Sequence, residues 1–146
     1  MKIEIKIDDT APETKVIIVT REMTESVQAL VKRLSEEQPR VIAGFSGDTV
    51  RLLEQNEILR IYAAEGKVFA ATEKDEFTLR LRLYELEERL DKKRFVRISN
   101  SEIVNLGKIT GFDLSFTGTI QVSLTNGTST YVSRRYVSKI KTTLGL

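Results

Sequence analysis

The 146-residue chain has no cysteine and no histidine, and only two prolines and eight glycines interrupt it. The first absence excludes disulfides, thiolate metal sites and cysteine nucleophiles. The second removes the commonest general base and the commonest transition-metal ligand. A serine or threonine nucleophile would then need a lysine or carboxylate base, and the sequence marks no such pair. Gly44 and Gly47 in AGFSGD lack both the following lysine and the strand-to-helix setting of a phosphate-binding loop. No apolar run approaches the roughly 18 to 20 residues that span a bilayer, and MKIEIKIDD alternates charge with isoleucine instead of forming a signal peptide's apolar stretch. A cytoplasmic protein that is not an enzyme, with no cofactor and no bound metal, is expected.

What is present suits a globular domain: 40% hydrophobic and 30% charged residues in a length that fits one domain with a small extension. The net charge of +2 hides a division. Residues 1–79 hold 11 Lys/Arg against 15 Asp/Glu, or −4, and residues 80–146 hold 12 against 6, or +6. From Lys92 onward, nine cations face only Glu102 and Asp113. A basic end of this kind attracts polyanions and releases their condensed counterions, although a solvated basic surface would have the same composition.

Periodicity gives the elements. KIEIKI alternates at period two, DDTAPET is a turn and KVIIVT is apolar, so residues 2–7 and 15–20 read as strands. Thr24 can cap a following helix whose stripe is Met23, Val27, Leu30, Val31 and Leu34, with Pro39 as its stop. This strand-strand-helix extension, residues 1–40, is too small for a large core of its own. Residues 41–146 read as a second unit dominated by short strands: VIAGF, TVRLLE, ILRIYAA, KVFAATE and EFTLRL, then FVRIS, KITGFDLSF, TIQVSLT and TSTYVS. Regular polar turns and no βαβ rhythm indicate antiparallel sheets. LRLYELEERLDKK supplies a short helix, NSEIVNL reads as irregular, and RRYVSKIKTTLGL closes the chain as a helix. Asn126-Gly127 marks a type I′ hairpin and Thr117-Gly118 a weaker turn. The expected class is mainly β, a β-rich α+β fold of packed antiparallel sheets with short helices.

Glu85, Glu87 and Glu88 read as solvated helix pairs beside Arg82 and Arg89 rather than as a metal site. RFVRISNSEIVNL and YVSRRYVSKIK carry the chemistry. Arg97, Ser99, Asn100 and Ser101 offer donors from a strand end and loop, and Arg134 and Arg135 fall where a strand hands over to a helix. Arginine can bond guanine O6 and N7, asparagine can bond adenine N6 and N7, and serine, lysine and a helix N-terminus suit phosphate. Pairing of Arg134 and Arg135 with a nearby carboxylate is the structural alternative. Tyr62, Phe69, Phe112, Phe116 and Tyr131 leave open a protein- or RNA-binding module that stacks bases, or simple core packing.

Three ordered segments, ILRIYAAEGKVFAAT, LRLYELEERLDKKRFVRISNSEIVNL and KITGFDLSFTGTIQVSLTNGTSTYVSRRYVSKIK, resemble the LytTR (LytR/AlgR-type) DNA-binding domain of bacterial transcription regulators. The resemblance spans about residues 41–144. It implies a transcription regulator whose loops enter successive major grooves of double-stranded DNA with repeated half-sites. By position it implies base contacts from Asn100, Arg135 and Lys67, the last beside Gly66, and backbone contacts from Arg97, Ser101, Arg134 and Lys139. Ser99 departs from the histidine common in the family. Residues 1–40 are too short for the receiver domain that usually precedes this module, so control without phosphorylation is expected. The extension resembles that of stand-alone members restrained by a small membrane-protein inhibitor, and a homodimer, at least on DNA, is a further expectation.

Overall fold

Alternating apolar residues from Val41 onward need partners on both sides of each strand, and sheets provide them. The computed structural model describes residues 1–35 and 41–146. The chain divides into two units, Met1–Gln38 and Pro39–Leu146. The boundary expected at Pro39 lies outside the described residues.

In the first unit, α1 spans Glu25–Ser35. Thr24 caps it as the sequence indicates, its hydroxyl accepting from the Val27 N–H at 3.2 Å. Val16 and Ile18 line an apolar groove with Met23, Val27 and Val31. The expected turn exists, with the Ala11 N–H bonded to the Asp8 carbonyl at 3.1 Å. Residues 2–7 and 15–20, however, form no strands. Alternation supplies a face but a strand also needs a ladder, and Ile3, Ile5 and Ile7 stay 78, 85 and 91% exposed because nothing described covers them.

In the second unit, β1 (Val41–Ser46), β2 (Thr49–Glu54), β3 (Arg60–Ala64), β4 (Lys67–Ala71), β5 (Glu76–Leu79), β6 (Phe95–Ser99) and β7 (Glu102–Asn105) build a seven-stranded antiparallel sheet ordered β2-β1-β5-β4-β3-β7-β6. A second sheet of β8 (Ile109–Asp113), β9 (Ile120–Leu124) and β10 (Ser129–Val132) is ordered β10-β9-β8. Helix α2 (Leu83–Arg89) interrupts the strands and α3 (Arg134–Leu144) follows them. Gly44 lies within β1 and Gly47 in its hairpin turn, both structural positions.

Two cores explain the layering. On one face of β3, β6 and β7, Ile61, Phe95 and Ile103 pack with Ile42, Leu53 and the Leu83, Leu86 and Leu90 stripe of α2. On the other, Val96, Ile98 and Val104 pack with Ile120, Val122 and Ile140 from the second sheet and α3. Burying each such aliphatic side chain contributes about 1.5–3 kcal/mol. The segment expected to be irregular, NSEIVNL, contains β7, whose four residues are all buried. A strand covered on both faces shows no alternation, which is why period two missed it.

The 125–127 hairpin also differs in detail. Ser123 pairs with Ser129, and the Leu124 N–H bonds the Thr128 carbonyl at 2.9 Å, leaving a three-residue loop. Only Gly127 has positive φ (85°), so the turn is not type I′; glycine fills the single left-handed position of a three-residue loop. The type I′ pattern occurs instead at Glu65-Gly66, with φ of 53° and 75° between paired Ala64 and Lys67. Among the described residues no helix is long and apolar enough to cross a membrane.

Candidate nucleic-acid interface

The antiparallel order sends the β3–β4 turn, the β6–β7 turn, the β8–β9 turn and the β10–α3 junction to one end of the second unit. Backbone hydrogen bonds tie three of them together. The Ala63 N–H donates to the Ser101 carbonyl at 2.8 Å, joining the hairpin that carries Lys67 to the loop that carries Asn100. The Ser133 N–H donates to the Ile98 carbonyl at 2.9 Å, joining that loop's strand to the start of α3. The Tyr136 hydroxyl donates to Asn100 Oδ1 at 3.2 Å, fixing the plane of the amide against the helix. Lys67, Asn100, Ser101, Arg134 and Arg135 are thus brought together, and all five are exposed.

Arg97 has a different position. A register shift between Arg97 and Ser99 bulges β6 just before the loop. The guanidinium turns back along it: Nη1 is 2.8 Å from Glu87 Oε1, Nε donates to the Ser99 carbonyl at 2.7 Å, and Nη2 donates to the Asn100 carbonyl. With its side chain 15% exposed, Arg97 holds the loop from behind. Ser99 and Ser101 complete the turn, the Ser101 N–H donating to Ser99 Oγ at 3.2 Å.

Several cations elsewhere are compensated in the same way. Arg60 bonds Glu102 at 3.0 Å, and the same carboxylate accepts from the Thr130 hydroxyl at 2.6 Å, linking the two sheets. Glu88 pairs with Lys92, and Glu85 accepts from the Arg82 N–H at the start of α2, so the three helix carboxylates have separate partners. Helix α3 stands apart. Its eleven residues include Arg134, Arg135, Lys139 and Lys141 and no acid. None of the four has a carboxylate partner among the described residues.

The placement on α3 separates residues that the sequence grouped. Arg135 and Lys139 are one turn apart, and Lys139 borders a groove shared with Glu87, Glu88 and Lys92 of the α2 side. Arg134 lies on the opposite margin, against the β8–β9 turn. Sequence reasoning passed over Tyr136, whose signal is a phenol beside the apolar stripe of Val137, Ile140 and Leu144. It also passed over Lys141 and the β8–β9 turn as parts of the site.

The aromatic residues form no single stacking platform. Tyr62 stacks on Phe69 at 5.3 Å within the large sheet, Phe116 meets Tyr131 edge-on at 5.7 Å on the small one, and Phe112 packs against a core. Burial, together with its bond to Glu76, raises the pKa of the Tyr62 phenol.

Comparison with known proteins bears on the family and the fold. The LytTr DNA-binding domain family matches residues 48–145. An HTH-type transcriptional regulator of Staphylococcus aureus (strain COL) is 31% identical over 147 residues, covering 100% of this chain and 99% of the relative. Another from S. aureus (strain MRSA252) is 30% identical over the same length and coverage. A solved LytTr DNA-binding domain from Bacillus cereus superposes with a TM-score of 0.71 at 26% identity, covering 73% of this chain and 97% of that domain. No two helices adjoin one another among the described residues, so nothing described forms a helix-turn-helix despite that word in the relatives' names. The family is one of DNA-binding regulators, in general without enzymatic activity. Family match, strand-rich fold and full-length relatives agree: this chain belongs to the LytTR DNA-binding domain family.

Proposed function

We propose that the protein is a sequence-specific regulator that reads double-stranded DNA with the four-loop end of its second unit, the loops entering successive major grooves. The observation that carries this reading is the start of α3. Two arginines occupy its first turn, where the helix dipole is positive, and the Ser133 side chain makes no cap hydrogen bond there. Each cation so placed is unfavourable by about 0.3–1 kcal/mol in isolation, and a phosphate at the same point reverses the sign.

Asn100, Arg135 and Lys67 take the base edges. Asn100 is held by Tyr136, and Arg135 projects from a junction anchored at Ser133 and Ile98. Arg134, Lys139 and Ser101 take phosphates, and Arg97 supports the loop through its bonds to Glu87 and two carbonyls. A DNA ligand places this work in the cytoplasm, and two copies on repeated half-sites about one helical turn apart would double the contact.

Substitution of two residues tests the assignment. Arg135→Ala should weaken binding to the operator by about 1–3 kcal/mol and relax one base position. Lys139→Ala should weaken operator and random duplex alike and lower the salt slope by about one. Equal losses on both duplexes for both variants would remove Arg135 from base readout.

The first unit fits a membrane-protein inhibitor, because Val16, Ile17 and Val19 are 66, 71 and 93% exposed beside the α1 groove. Capture in mild detergent should recover such a protein with the full chain and lose it with Val16→Asp and Val19→Asp together. Recovery of no membrane protein by the full chain contradicts this part.

A further inference from the structure

The β8–β9 turn is the one loop of the four that no base-reading residue occupies. Asp113 organises it, its carboxylate accepting from the Ser115 N–H at 2.9 Å and from the Ser115 hydroxyl, bonds that also lower its pKa. Gly118 then takes φ 75°, and Arg134 lies on its bare Cα: a Cβ there would stand 2.9 Å from Arg134 Nε. Thr117 and Gly118 face Arg134, Ser138 and Lys141 across an open cleft. The three helix residues fall at i, i+4 and i+7, one stripe of α3.

The chemistry of this cleft is one-sided. No carboxylate lines it. Neither cation has an ion pair, and the hydroxyls of Thr117 and Ser138 have no hydrogen-bond partner, among the described residues. Two positive charges and two hydroxyl donors without an acceptor suit a tetrahedral anion.

We propose that this cleft binds backbone phosphates of the DNA beside the bases read by Asn100 and Arg135, with Lys141 as a contact that extends the footprint. The proposal rests on the DNA-reading function stated above. Seven residues of helix separate Arg134 from Lys141, a rise of about 10 Å. That separation exceeds the rise of about 3.4 Å of duplex axis per phosphate on one strand, so the two cations reach different phosphates. Gly118 is a positioning residue: the bare turn lets the guanidinium lie flat and point along the cleft.

The test uses the full chain, its selected operator duplex and a random duplex. Lys141→Ala should make the dependence of log affinity on log salt shallower by about 0.9 on both duplexes. It should keep the ranking of base preferences and abolish interference from ethylation of one phosphate flanking the motif. Lys93→Ala removes the same charge from the opposite end, beside the start of β6 at Phe95, and should leave slope and interference as in wild type. Gly118→Ala should lose what Arg134→Ala loses, with no further loss in the double variant, whereas Gly127→Ala, strained at a similar positive φ with nothing near it, should keep the wild-type affinity.

An unchanged slope and ethylation pattern for Lys141→Ala overturns the proposal, as does an equal change for Lys93→Ala, which would mean overall charge. Binding of inorganic phosphate alone that Lys141→Ala removes, with the DNA slope unaltered, also overturns it by making the cleft a small-anion site. Additive losses for Gly118→Ala and Arg134→Ala overturn the positioning role. A wild type that selects no operator removes the DNA-reading function as a whole, whereas an operator bound identically by wild type and Lys141→Ala removes the cleft alone.

Discussion

Arginine at position 97 shows how residue type and residue role separate. As a letter in FVRIS it is one more cation of a basic end; in the fold its guanidinium is held by Glu87 and by the carbonyls of Ser99 and Asn100. Arg97→Ala should therefore lower unfolding free energy by about 1–3 kcal/mol, because hydrogen bonds to a charged group are lost from a poorly hydrated site. Operator affinity should fall with the loop's order while the salt slope stays at the wild-type value. A slope lowered by about 0.9 in binding titrations would instead make Arg97 a phosphate contact. The exposed placement of Asn100 and Arg135 at strand ends was legible in sequence, because each follows a run of strand residues at a polar break. Arg97's role was not, since the bulge between Arg97 and Ser99 that turns its side chain inward depends on a partner strand absent from any local pattern.

Elements were legible where one face is wet. β9 reads IQVSL and is buried, half-buried and buried in alternation, and its periodicity is visible by eye. β7 is buried throughout and hides for the same reason in reverse. The opposite error at residues 2–7 and 15–20 arises because alternation in KIEIKI names a face without naming what covers it. Asn105, at the end of β7, illustrates what burial adds: its amide donates to the Ile58 carbonyl at 2.9 Å and accepts from the Gly107 N–H at 3.0 Å, and the residue is 2% exposed. Asn105→Ala should cost about 1–3 kcal/mol in denaturant unfolding, because it leaves two buried backbone groups unpaired. DNA affinity of the folded fraction should hold, since Asn105 lies at the far end from the loops. A cost near zero would mean that the site rehydrates.

At the scale of the molecule, the division of charge seen in sequence acquires a location. Paired cations stiffen the sheets, as Arg60 does with Glu102, and α3 carries four cations and no acid. The helix is held to the second core by Ile140, which is 1% exposed, so its charges are presented on a fixed support. Three hairpin turns and one strand-to-helix junction share that end, which no short window of sequence could reveal because the contacts that join them link distant residues, such as Asn100 and Tyr136, 36 apart. The family, by contrast, was legible, because the order of its segments survives where each segment alone is weak. The measurement that bears most directly on the central claim is selection of bound duplexes from a random-sequence pool at about 0.15 M salt, where non-specific phosphate binding is already weakened. The account expects enrichment of two repeated half-sites about one helical turn apart, lost at one base position in Arg135→Ala. Retention of duplexes with no enriched motif would contradict it.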